Sequence, residues 1–77
     1  MAEGSLYDRI VAASGLTPVI APYTIRRLLL RANIVPPEGV TLEEYRELLP
    51  SLLAELGVYL GQDEHESAAA ALRALAG

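Results

Sequence analysis

The side chains around the only histidine are of the types that bind metal ions. His65 lies among Asp63, Glu64 and Glu66. Metal ligands on a helix need spacings of three or four residues, because only those spacings bring them onto one face. Here the carboxylates are crowded into the expected first turn of a helix, where capping and the helix dipole already favour negative charge. We therefore expect a structural role for this cluster, with no metal and no cofactor.

The residues needed for covalent catalysis do not form a recognisable set. The chain has no cysteine, and its four serines lie in no nucleophile motif (Ser5, Ser14, Ser51, Ser67). The six glycines are scattered near expected helix ends and form no phosphate-binding loop. We expect a protein that is not an enzyme and has no catalytic residues.

The strongest candidate for function is the basic outer side of the second expected helix. Its arginines stand beside a tyrosine and two aliphatic residues that fall off the expected core stripe, and tyrosine and arginine are enriched at protein interfaces. The predicted partner-binding residues are Tyr23, Arg26, Arg27, Leu30, Arg31 and Ile34. Three interpretations stay open: a solvated or internally paired face, a surface that binds another protein or a second copy, and a nucleic-acid surface.

A local resemblance gives the nucleic-acid interpretation its form. The stretch Ser14-Gly15-Leu16-Thr17-Pro18, continuing to Tyr23-Thr24-Ile25-Arg26-Arg27-Leu28-Leu29, resembles a helix-turn-helix. The resemblance implies DNA contacts from Thr24, Arg26 and Arg27. Against it stand a sequence pI of about 4.8, where DNA-binding domains usually exceed about 9, and only three arginines to displace counterions. DNA binding is therefore the alternative, and protein binding the first hypothesis.

Charge divides the chain unequally. Residues 1–35 carry four arginines against two carboxylates, whereas residues 36–77 carry two arginines against eight. Apolar residues make up 52 % of the chain, slightly above the usual 45–50 %, which leaves apolar surface for a partner. The absence of cysteine favours the cytoplasm, and the use of arginine as the only basic residue is typical of GC-rich bacterial genomes. No signal peptide or membrane-spanning segment is expected.

Apolar periodicity predicts a single all-α domain over residues 1–77. The expected helices span 5–14, 22–33, 42–60 and 63–76. Ser5 with Asp8, and Thr41 with Glu44, predict capping boxes, and Asp63 is the expected cap of the last helix. Gly15 and Asn33 are the expected stops of the first two helices.

Prolines predict where the bundle bends. Pro50 should kink the third helix or split it, and residues 35–39 should form a rigid, non-helical joint. The predicted fold is a compact orthogonal or irregular bundle of four helices, or five if the third splits. The predicted core is Leu6, Ile10, Ile25, Leu28, Leu29, Tyr45, Leu48, Leu49, Leu52, Leu56, Leu72 and Leu75.

Overall fold

Four α-helices and one 3-10 turn build the protein, as a computed structural model describes it for residues 5–77. The α-helices are α1 (Leu6–Ala13), α2 (Ala21–Arg31), α3 (Leu42–Tyr59) and α4 (Gln62–Leu75), and the 3-10 turn spans Pro37–Gly39. This confirms the predicted all-α fold. The radius of gyration, 11.4 Å, is that of a folded chain of this length, for which about 11.5 Å is expected. No helix in the described residues is long and apolar enough to cross a bilayer.

The helix starts at α1 and α3 follow from capping chemistry. The Ser5 hydroxyl accepts the Asp8 N–H at 3.3 Å, and the Asp8 carboxylate accepts the Ser5 N–H at 3.2 Å. Thr41 and Glu44 form the same reciprocal pair at 3.1 and 2.9 Å. Each pair satisfies backbone donors that a helix leaves without intrahelical partners. Both predicted capping boxes are confirmed.

The start of α4 differs from the prediction. Its cap is Gly61, and the Gly61 N–H donates to the Glu64 carboxylate at 3.1 Å. Asp63 therefore lies inside the first turn, where its charge still meets the positive end of the helix dipole. The prediction of Asp63 as the cap was wrong by two residues.

The prolines are accommodated inside regular structure. Helix α3 is continuous across Pro50, so the predicted alternative of two shorter helices is wrong. Pro22 lies in the first turn of α2, where its missing N–H would have had no intrahelical acceptor. Pro37 begins the 3-10 turn and is buried, so the prediction of a non-helical joint is wrong over Pro37–Gly39.

The end of α2 explains a second departure from expectation. Asn33 adopts a left-handed backbone with φ of 66°. Its N–H donates to the Leu30 carbonyl at 2.9 Å, and the Ile34 N–H donates to the Leu29 carbonyl at 3.0 Å. This pair of hydrogen bonds is a Schellman motif, in which the residue after the left-handed one packs back against the helix. Ile34 is accordingly buried, with 5 % exposure.

The core joins all four helices. Of the twelve predicted core residues, eight are buried and four are half-buried against them (Leu6, Leu48, Leu49, Leu75). The prediction missed Ile34 and Val40, which flank the joint, and the buried Ala69 of α4. Small residues let α1 and α4 approach closely. A Cβ added at Gly15, whose φ is +80°, would lie 3.3 Å from the Ala68 Cβ.

Candidate functional site

The outer side of α2 exposes an aromatic, aliphatic and basic surface. Tyr23 is 77 % exposed and Leu30 41 % exposed, while the arginines between and beside them also face solvent. On a helix, positions 23, 27, 30 and 31 share one side, because positions 23, 30 and 31 each lie three or four residues from position 27. We call Tyr23, Arg27, Leu30 and Arg31 the α2 face.

Arg26, one of the predicted binding residues, makes an internal ion pair. Its guanidinium contacts the Glu38 carboxylate of the 3-10 turn. Both side chains remain about half exposed, at 48 % and 50 %. An ion pair of this exposure contributes at most about 1 kcal/mol to stability. It nevertheless occupies Arg26 and ties the basic helix to the acidic half of the chain.

The other two arginines of α2 reach across to α3. Arg27 Nη2 donates to the Tyr59 hydroxyl at 3.2 Å, and Arg31 Nη1 lies 3.9 Å from Glu55 Oε1. Within residues 5–77, no carboxylate lies in ion-pairing range of Arg27. The three arginines thus all contact residues far along the chain, and two of them, Arg26 and Arg31, lie within ion-pairing distance of a carboxylate.

Ile34 does not belong to this surface. Helical periodicity predicted it beside Leu30 on the outside, but α2 ends at Arg31 and the Schellman motif turns Ile34 into the core. Its 5 % exposure leaves no area for a partner, so its prediction as an exposed partner-binding residue is corrected. Thr24, which the DNA-binding interpretation needs at the surface, is also buried, at 6 % exposure.

An open groove separates α2 from α3. One part has a volume of about 270 Å³ and is lined by Leu28, Arg31, Ala32, Leu48, Ser51, Leu52 and Glu55. A second hollow of about 380 Å³ shares Ala32, Leu48 and Ser51 with the first and extends towards Glu44 and Glu47. Leucines form the floor, whereas polar and charged side chains stand at the rim. Long side chains therefore span the groove between α2 and α3.

Further exposed apolar residues lie near the α2 face, and the sequence analysis did not select them. Val19 and Ile20 precede α2, with 78 % and 43 % exposure, and Val58 and Tyr59 end α3, with 79 % and 44 %. Periodicity could not identify them, because it ranks positions within one helix and says nothing about which helix ends come together. The hydrogen bond from Arg27 to Tyr59 shows that the end of α3 lies beside the α2 face.

The histidine has a structural contact. His65 Nε2 lies 2.7 Å from the Leu53 carbonyl oxygen, so this nitrogen carries a proton and donates to α3. Within residues 5–77, no group of three or more histidine, cysteine or carboxylate side chains could hold a metal ion. His65 joins α4 to α3.

Two tyrosines are hydrogen-bonded away from the α2 face. The buried Tyr45 hydroxyl donates to the Leu72 carbonyl of α4, and burial raises the pKa of Tyr45 to about 12. The Tyr7 hydroxyl donates to the Pro22 carbonyl at 3.1 Å and joins α1 to the start of α2. Tyr45, which was predicted for the core, is completely buried.

Comparison of the chain with protein-family models, with characterised proteins and with solved structures found no match.

Proposed function

We propose that this protein is a non-enzymatic protein-interaction module that binds its partner through the α2 face. The observation that carries the proposal is the exposure of Tyr23, at 77 %, and of Leu30, at 41 %, on the same side of α2 as Arg27. The hydrophobic core is complete without these residues, since Ile25, Leu28 and Leu29 fill the inner side of the helix. Their exposure is therefore not required by the fold.

The composition of the α2 face suits a protein partner. Tyrosine and arginine supply large contact areas with polar ends and dominate the binding energy of many interfaces. Val19 and Ile20 extend the apolar area beyond the helix start. A contiguous apolar patch rimmed by charge is typical of binding sites on small soluble domains. The absence of cysteine also supports a cytoplasmic location.

DNA binding is less well supported by the same geometry. Of the three residues assigned to it, Thr24 is buried and Arg26 contacts Glu38. Arg27 alone would be left to contact phosphates, and a single cation releases only about one counterion.

Site-specific photocrosslinking tests the proposal. Tyr23 is replaced by a photoreactive benzoylphenylalanine, and the protein is irradiated in its source cells. We expect a discrete crosslinked product from position 23 that disappears when Leu30→Glu is added, because a buried charge would disrupt the apolar contact. Circular dichroism should show unchanged helicity for Leu30→Glu, since Leu30 lies outside the core.

The matched control places the same photoreactive residue at Ala70, which is exposed on α4. It should give no discrete product. Absence of any product from position 23, or the same products from both positions, would contradict the proposal.

A further inference from the structure

We infer that the partner of the α2 face is a second copy of this chain, with α2 of each protomer lying along α3 of the other. This inference rests on the proposed function. The charges of the neighbouring helix, α3, indicate which partner occupies the α2 face. A band of acidic and polar residues runs along α3 beside the groove, and we call Glu47, Ser51 and Glu55 the α3 stripe.

The α3 stripe and the α2 face are adjacent and antiparallel. Arg27 contacts Tyr59, and Arg31, one turn later on α2, contacts Glu55, one turn earlier on α3. The stripe residues repeat every four positions and so share one side of α3. Ser51 and Glu55 also line the groove against Leu28 and Ala32 of α2. The surface therefore has a basic edge and an acidic edge with an apolar floor between them.

Such a surface is complementary to itself. A two-fold axis that runs along the groove, parallel to both helices, places the basic edge of one protomer opposite the acidic edge of the other. Arg31 of each protomer then meets Glu55 of the other, so this contact occurs twice in each dimer. Rotation about this axis preserves position along the helices, so Arg31 of one protomer stays at the level of Glu55 of the other.

The internal contacts leave these charges available. The contact of Arg31 with Glu55 is a single approach of 3.9 Å, with side-chain exposures of 66 % and 41 %. Exposed pairs of this kind are weak, so exchange of partners between protomers costs little. Arg27 uses one nitrogen for Tyr59 and keeps its other donors free.

Apolar residues on both edges would be covered by the same arrangement. Leu30 lies on the basic edge at 41 % exposure, and Val58 lies near the end of α3 at 79 %. The two-fold axis brings them to the same side of the interface, since Leu30 lies between the levels of Glu55 and Tyr59. Apolar contact supplies affinity, while the charges select the orientation.

A charge-exchange experiment tests the inference by sedimentation equilibrium. Wild-type protein should dimerise, and Arg31→Glu and Glu55→Arg should each weaken the dimer by about tenfold or more, because each variant places like charges across the interface. An equimolar mixture of the two variants should form a heterodimer within about threefold of the wild-type affinity. In the mixture every contact between protomers is again attractive, whereas the contact inside each chain stays repulsive. Recovery therefore reports the contact between chains.

Controls with the same charge changes lie on α4. Arg73→Glu and Glu66→Arg are exposed and outside the proposed interface, and each should leave the dimer affinity within about twofold of wild type. A wild-type monomer at all accessible concentrations would overturn the inference, as would a mixture that dimerises no better than its components. A photocrosslink from position 23 to a different protein would overturn it too while still supporting the proposed function.

Discussion

Helix α3 makes two different kinds of contact on its two sides. Towards α4 it is joined by short hydrogen bonds from side chains to backbone, including the buried Tyr45 hydroxyl on the Leu72 carbonyl and His65 Nε2 on the Leu53 carbonyl at 2.7 Å. Towards α2 it is joined by long, exposed side chains across a groove, with Arg31 and Glu55 3.9 Å apart. We call the contact between α3 and α4 the closed seam and the contact between α2 and α3 the open seam.

The closed seam also completes the end of α4. The last four carbonyls of a helix lack intrahelical donors. Tyr45 donates to the Leu72 carbonyl, and Arg46 Nε donates to the Ala76 carbonyl at 2.8 Å, next to the end of the helix. Two consecutive residues of α3 thus satisfy acceptors of α4, and the cation lies at the negative end of the α4 dipole. The difference between the seams indicates that the α3–α4 contact contributes more to stability than the α2–α3 contact.

Removing a buried side chain from the closed seam should have the largest effect on stability. Leu72 is fully buried, so Leu72→Ala should lower the free energy of unfolding by about 2–5 kcal/mol through lost burial and a residual cavity. Urea denaturation followed by circular dichroism measures the change. A loss below about 1 kcal/mol would show that α4 is not an integral part of the core.

Alkaline pH should weaken the closed seam through Tyr45. Its pKa is about 12 in the folded protein and about 10 when unfolded, so the unfolded state loses this proton first as the pH rises. Stability from the protonated phenol is fully present below about pH 10 and is lost towards about pH 12, by about 3 kcal/mol. The measurement is the difference between wild-type and Tyr45→Phe unfolding free energies across this range. Parallel pH dependences for the two proteins would rule out the buried phenol as the cause.

Truncating the α2 face beside the open seam should have the smallest effect on stability. Leu30→Ala is the matched counterpart of Leu72→Ala, and at 41 % exposure it should cost about 0.5 kcal/mol or less in dilute solution. Denaturation under the same conditions gives the comparison. A cost that approaches that of Leu72→Ala would place Leu30 in the core and remove the distinction between the two seams.

Much of the fold could be predicted because its signals are local. Capping at Ser5 and Thr41 depends on a residue three positions away, and the stop at Gly15 depends on one glycine. The apolar stripes identified eight buried core residues, because burial of a helix face follows its periodicity. Pro50 was the exception, since α3 passes through it without interruption.

The candidate site could be predicted only in part. The exposure of Tyr23 and Leu30 followed from their position opposite the core stripe of α2. Ile34 did not follow the same rule, because its direction depends on the left-handed turn at Asn33 and no longer on helical spacing. The pairing of Arg31 with Glu55 depends on how two helices lie together, which periodicity does not describe.

Local signals in the sequence account for most of the helix ends, because capping and glycine stops act over a few residues. Apolar spacing, which also acts over a few residues, accounts for the number of helices and the inner side of each. Tertiary contacts are needed to explain why some arginines of the basic half form ion pairs with carboxylates of the acidic half of the same chain. Arg26 meets Glu38 and Arg31 meets Glu55 because the chain reverses at the joint and lays α3 antiparallel to α2. The tertiary structure also decided that this seam stays open while α3–α4 closes, since side chains donate to backbone carbonyls between α3 and α4, whereas a groove bordered by exposed charged side chains separates α3 from α2.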